Sequence, residues 1–132
     1  MQLGFLGKIA FPKGNLLEAD KNVFEKAKMS LNNCTIRYSK GDITNIITKN
    51  PENDIDFVSY SDVPSFLSDN EASSFLQEIK HKITKESIVV SKGFLRVVNP
   101  NYVDYFSEAE GYKTLIETDN TQLWKYQIYK RN

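Results

Sequence analysis

Ser59, Tyr60, Ser61 and Asp62 stand in a row at the end of a β-prone run, Asp54 to Tyr60 (DIDFVSY), a position from which loop residues of an α/β sheet reach a ligand. A carboxylate at Asp62 can accept a proton from an attacking hydroxyl, with Tyr60 lining the pocket beside it. The plainer reading of the same residues is a turn in which Asp62 bonds its own backbone before Pro64 while Tyr60 packs. Lys92 and Arg96 flank the end of a later run, Ser87 to Ser91 (SIVVS), and would bind a substrate carboxylate or phosphate, Arg96 as a two-pronged donor. As ordinary surface cations they would simply be solvated.

Other chemistries lack their residues. One cysteine (Cys34) and one histidine (His81), far apart in the chain, supply no zinc set, and no metal site is expected. Cys34 reads as a small hydrophobe at the start of a strand, and His81, between Lys80 and Lys82, as an exposed side chain on the polar side of a helix. Seventeen basic and seventeen acidic residues cancel and are interspersed, so no field draws nucleic acid or an anionic membrane. With a lone cysteine, no transmembrane-length apolar stretch and no signal-peptide core, a cytoplasmic protein is expected.

The elements that must position these residues follow from periodicity. At 132 residues, 40% of them apolar and 26% charged, the chain is expected to form one α/β domain, with 1–14 as an N-terminal packing arm. Asp20 to Leu31 places Val23, Phe24, Ala27 and Leu31 at helical spacing with Asp20 as N-cap. Cys34 to Tyr38 (CTIRY) predicts a strand, and Asp42 can cap a brief helix carrying Ile43, Ile46 and Ile47. Asp54 to Tyr60 predicts a strand whose Phe57-Val58 pair suggests burial on both faces. Ser68 and Glu71 form a capping box opening a helix with Ala72, Phe75, Leu76, Ile79 and Ile83 on one stripe. Ser87 to Ser91 predicts a buried strand, and Gly93 a bend before the apolar run Phe94 to Val98. Tyr102 to Ala109 predicts a short helix. Tyr112 to Glu117 and Leu123 to Lys130 predict a closing β-hairpin turning at Asp119-Asn120, with Trp124, Tyr126 and Ile128 on one core-facing side. This alternation implies a mostly parallel sheet, helices on both faces and an antiparallel C-terminal hairpin.

That order of elements resembles the later half of the Rossmann-like methyltransferase fold. Three stretches are similar to the family that includes the S-adenosylmethionine:diacylglycerol aminocarboxypropyl transferases: the Leu3-Gly4-Phe5-Leu6-Gly7-Lys8 arm, the helix-strand unit from Asn22 to Asp42, and Asp56-Phe57-Val58-Ser59-Tyr60-Ser61-Asp62 with the capped helix after it. The resemblance implies an S-adenosylmethionine-dependent transferase moving a methyl or aminocarboxypropyl group to a small-molecule or lipid acceptor. It places Asp42 near the adenine of the cofactor, Ser59 and Ser61 in the cofactor site, and Asp62 with Tyr60 at the reacting centre, where the carboxylate would also steer the sulfonium. Asp42 has the equally direct reading of a helix cap.

Such enzymes receive the cofactor on a glycine-rich loop after their first strand, and no G-x-G pattern follows a strand here. Besides an independent small enzyme that binds a nucleotide-like ligand between subunits, two readings follow. In one the chain is the C-terminal portion of a transferase, with a partner chain supplying the missing strands. In the other it is a non-catalytic binding or assembly module derived from that fold, self-associating as a homo-oligomer to cover its exposed sheet edge.

Overall fold

The computed structural model describes residues 20–94, 96–117 and 124–132. The chain divides into two compact units, Met1–Ser39 and Lys40–Asn132. The expected N-terminal arm lies outside the described residues.

In the first unit Asp20 caps α1 (Lys21–Leu31), its Oδ1 accepting from the N–H groups of Asn22 and Val23 at 2.9 and 3.1 Å. This satisfies two of the donors that open a helix. The apolar side of α1 stays open, with Phe24, Met29 and Leu31 all more than half exposed. Cys34 to Tyr38 is not a strand: the segment has no ladder partner among the described residues, and Tyr38 is 93% exposed. β-branched composition makes a strand only where a neighbour takes its backbone bonds.

The second unit is a four-stranded mixed sheet with helices. Asp42 caps α2 (Ile43–Lys49) through a 2.8 Å bond from the Asn45 N–H. β1 (Ile55–Ser61) follows, then a 3-10 turn (Val63–Phe66) and α3 (Asp69–Ile79), opened by the Ser68/Glu71 capping box. β2 (Ile83–Gly93) returns parallel to β1, pairing Val58 with Val89 and Tyr60 with Ser91. β3 (Phe106–Glu108), a second 3-10 turn (Glu110–Tyr112), α4 (Lys113–Glu117) and β4 (Lys125–Arg131) complete it. The strand order is β1-β2-β4-β3.

The expected α/β class holds, but the sheet is mixed rather than mostly parallel, because β4 runs antiparallel to both β2 and β3. The predicted Tyr112–Glu117 strand is the 3-10 turn and α4 instead, so the closing hairpin does not form; its turn at Asp119-Asn120 lies outside the described residues. The reason is positional. β4 has β2 on one side and β3 on the other, and no ladder is left for a hairpin partner. β3 itself comes from the stretch where a helix was expected, after a turn in which Tyr102 O accepts from the Tyr105 and Phe106 N–H groups.

The core lies between the sheet and its helical layer. Ala72, Phe75, Leu76 and Ile79 of α3 and Ile47 of α2 bury against Val58, Tyr60, Val89 and Tyr129. Each large apolar side chain there contributes roughly 1.5–3 kcal/mol. Ile83 heads β2 rather than closing the α3 stripe, and β2 is correspondingly longer than expected. Helices on both faces were expected from Phe57-Val58, yet α2 and α3 bury side chains on the Val58 side, and Phe57 is 57% exposed on the other. The register puts Tyr126 and Ile128 of β4 on the Phe57 side, level with Lys92 and Val90; the core residue of that strand is Tyr129.

Candidate functional site

The ends of β1 and β2 are tied together by Asp62. It adopts a left-handed backbone (φ 62°), which Asp tolerates better than most residues, and this turns the chain out of β1 into the 3-10 turn. Its N–H donates to Lys92 O at 2.6 Å. Its carboxylate Oδ1 accepts from the Ser65 hydroxyl at 2.7 Å and from the Phe94 N–H at 3.0 Å. The Ser65 hydroxyl is also 2.8 Å from Arg96 O, so its single proton is shared between two acceptors. Gly93 is required in this knot, since a Cβ there would stand 2.7 Å from Arg96 O.

The two cations at the end of β2 take separate partners. Lys92 Nζ lies 3.9 Å from the centre of the Trp124 ring, which leans on Phe94 at 5.3 Å between centroids. Arg96 pairs with Asp69 at 3.3 Å. Ser59 and Ser61 are exposed and share the side of Phe57, facing away from the Tyr60 ring.

Tyr60 points the opposite way, into the core. It is fully buried, packs edge-on against Phe75 at 4.9 Å, and its hydroxyl meets the Thr44 hydroxyl at 3.4 Å. Burial pushes its phenol up to about 12; the Thr44 contact pulls slightly the other way, and the negative charges of Asp42 and Glu78 add to the rise. A neutral phenol at that position is a hydrogen-bonding group and not a base.

Beside it, Asp42, Thr44, Asn45, Leu67, Glu71, Phe75 and Glu78 line a cavity of about 220 Å³ between α2 and α3. The three carboxylates already have partners: Asp42 caps α2, Glu71 accepts from the Ser68 N–H and hydroxyl, and Glu78 accepts from the Ser74 hydroxyl. The Ser68 bonds hold the Glu71 carboxyl below its ordinary value. Carboxylates suit a sulfonium or ammonium group, and the cavity is smaller than the roughly 300–1,000 Å³ of ordinary small-molecule sites. Among the described residues no cluster of His, Cys, Asp and Glu could hold a metal ion, and no helix is long and apolar enough to cross a membrane.

The predicted site residues therefore occupy three places. Asp62 and Arg96 are at the β1–β2 knot, Asp42 and Tyr60 flank the α2–α3 cavity, and Ser59, Ser61 and Lys92 are on the side of the sheet away from α3. Sequence reasoning missed Ser65 and Thr44. Their signals were the Asp-x-x-Ser spacing from Asp62 and the position of Thr44 two residues into the Asp42-capped helix. No protein family, no curated protein and no solved structure matches this chain.

Proposed function

We propose that this chain is a non-catalytic binding or assembly module that engages a polypeptide partner through the part of its sheet that α2 and α3 leave open. The observation that carries this reading is the use of Asp62: the carboxylate that a transferase would need free accepts from Ser65 and Phe94 and holds the ends of β1 and β2 together. Tyr60 is likewise committed to the core. On the side away from α3, Phe57 is exposed and Ile88 and Val90 are partly buried, while Tyr126 and Ile128 line a cavity with Lys113 and Ile116 of α4. An open apolar surface of this kind marks an interaction site more often than a catalytic one. The parallel β1–α3–β2 unit is compatible with descent from a Rossmann-like, methyltransferase-like fold.

The test sets this reading directly against an S-adenosylmethionine-dependent transferase. Purified chain is titrated calorimetrically with S-adenosylmethionine and S-adenosylhomocysteine. No saturable heat is expected with either ligand. Saturable binding that Asp42→Asn or Asp62→Asn weakens would replace the module reading with the transferase one.

A further inference from the structure

β1 ends the sheet, and its outer side has no strand beside it among the described residues. Which backbone groups face outward follows from the register. Ser61 is level with Lys92, and Asp62 N–H donates inward to Lys92 O, so Tyr60 and Asp62 turn their amides toward β2. Phe57, Ser59 and Ser61 then each present a donor and an acceptor outward, with their side chains on the face away from α3. From Phe57 to Ser61 the pairing with β2 is regular, and the strand has no proline and no lysine, the usual devices that blunt an edge. The opposite edge is different: β3 is three residues long and runs at once toward a 3-10 turn.

Charge decides what can pair there. Glu52, Asp54 and Asp56 are exposed along and just before β1, no cation occurs between Asn50 and Asp62, and neither Asp54 nor Asp56 forms an ion pair among the described residues. A second copy would bring its own Glu52, Asp54 and Asp56 to the same edge and no lysine or arginine of the stretch 51–61 to meet them. Like charges directly opposite oppose pairing. The pairing with β2 is irregular between Ile55 and Phe57, so the three carboxylates crowd the start of the edge, and a strand carrying lysine or arginine there meets them while its apolar residues lie against Phe57.

Resting on the binding-module reading above, we propose that the outer edge of β1 is a strand-addition site for an extended basic segment of another protein that carries both cations and apolar residues. The backbone of Phe57, Ser59 and Ser61 supplies the ladder, Asp54 and Asp56 choose the charge, and Phe57 covers the apolar side chains.

The experiment uses the full chain and a fluorescein-labelled nine-residue peptide alternating lysine with valine and threonine, followed by anisotropy, with an alternating glutamate peptide as control. Three proteins are compared: wild type, Ser59→Pro and the double variant Asp54→Asn/Asp56→Asn. Proline at 59 removes an outward N–H that takes no part in the β2 ladder, so the fold is retained, which far-ultraviolet circular dichroism verifies. The expected result is saturable binding of the basic peptide alone. It should weaken about tenfold or more in either variant, and about tenfold from about 50 to about 500 mM salt in wild type. Binding that Ser59→Pro leaves unchanged, or no binding at all, overturns the proposal. A dimer seen by light scattering and broken by Ser59→Pro also overturns it while leaving the module reading intact, whereas saturable S-adenosylmethionine binding defeats the module reading itself.

Discussion

Replacing Asp62 by alanine should cost about 2–3 kcal/mol of stability, and replacing it by asparagine less than about 1 kcal/mol. Alanine removes the acceptor for both the Ser65 hydroxyl and the Phe94 N–H. A hydrogen bond to a charged group is worth roughly 1.5–3 kcal/mol, and partial exposure at Asp62 lets water replace some of that. Alanine also occupies φ 62° less readily than Asp or Asn, adding about 1 kcal/mol. Asparagine keeps an oxygen where Oδ1 sits and tolerates the left-handed backbone. Glycine at 62 would relieve the φ cost without restoring the bonds, so it should lie about 1 kcal/mol above alanine in stability. For a unit the size of Lys40–Asn132, each kcal/mol shifts the melting temperature by about 4–8 °C. Alanine should therefore melt roughly 10–20 °C below wild type. Urea unfolding followed by circular dichroism gives the free energies. A loss under about 0.5 kcal/mol in Asp62→Ala would refute the structural role assigned to the carboxylate, and equal losses in the alanine and asparagine variants would show that charge and not acceptor geometry makes the tie.

Two further outcomes follow from the same physics. Gly93→Ala should destabilise by about 2–3 kcal/mol in urea, because its Cβ would meet the Arg96 carbonyl oxygen at 2.7 Å and that oxygen is backbone that cannot swing aside. Tyr60 sets an alkaline limit: its phenol is pushed from 10 up to about 12 in the folded chain, so its contribution is complete below pH 10 and is lost as pH rises from 10 toward 12, by up to about 2.7 kcal/mol for two pH units. Unfolding curves at pH 9 and pH 11.5 should show a loss in wild type, to which the phenol of Tyr129, also raised by burial, adds, and a shallower loss in Tyr60→Phe; identical slopes would mean that Tyr60 contributes nothing.

The parts of the fold that could be read from the chain are those whose signals are local. Ser68 and Glu71 make the capping box at the start of α3, and Ala72, Phe75, Leu76 and Ile79 form its buried stripe, because three- and four-residue spacing leaves a helix only one way to face a sheet. Asp20 and Asp42 cap their helices for an equally local reason. What could not be read was decided between strands. Cys34 to Tyr38 has the composition of a strand but no partner among the described residues, and Lys113 to Glu117 coils because β2 and β3 already occupy both sides of β4. Phe106–Glu108 pairs with β4 although only three residues carry the signal. Phe57 shows the same limit, since two adjacent apolar residues on a strand place one on each face and say nothing of whether a second layer exists.

The site was legible by position and illegible by role, and the reason lies in the hydrogen bonds. Sequence places Asp62 at the end of β1, where ligand groups and turn-forming groups are the same residue types. Which it becomes depends on Ser65 and on the Phe94 N–H, thirty-two residues away, and the second is a backbone group with no signature in the sequence. Alternation separates Tyr60 from Ser59 and Ser61 in the same way: adjacent residues of a strand cannot serve one pocket from one face, so a cluster that is contiguous in sequence is split by the sheet it sits on. The same alternation aligns Phe57, Ser59 and Ser61, in backbone as well as side chain, along an edge near which Asp54 and Asp56 form no ion pair among the described residues. A contiguous polar run that ends a strand is thus better read two residues at a time, and read so, Phe57 to Ser61 gives the edge on which the proposed strand addition rests.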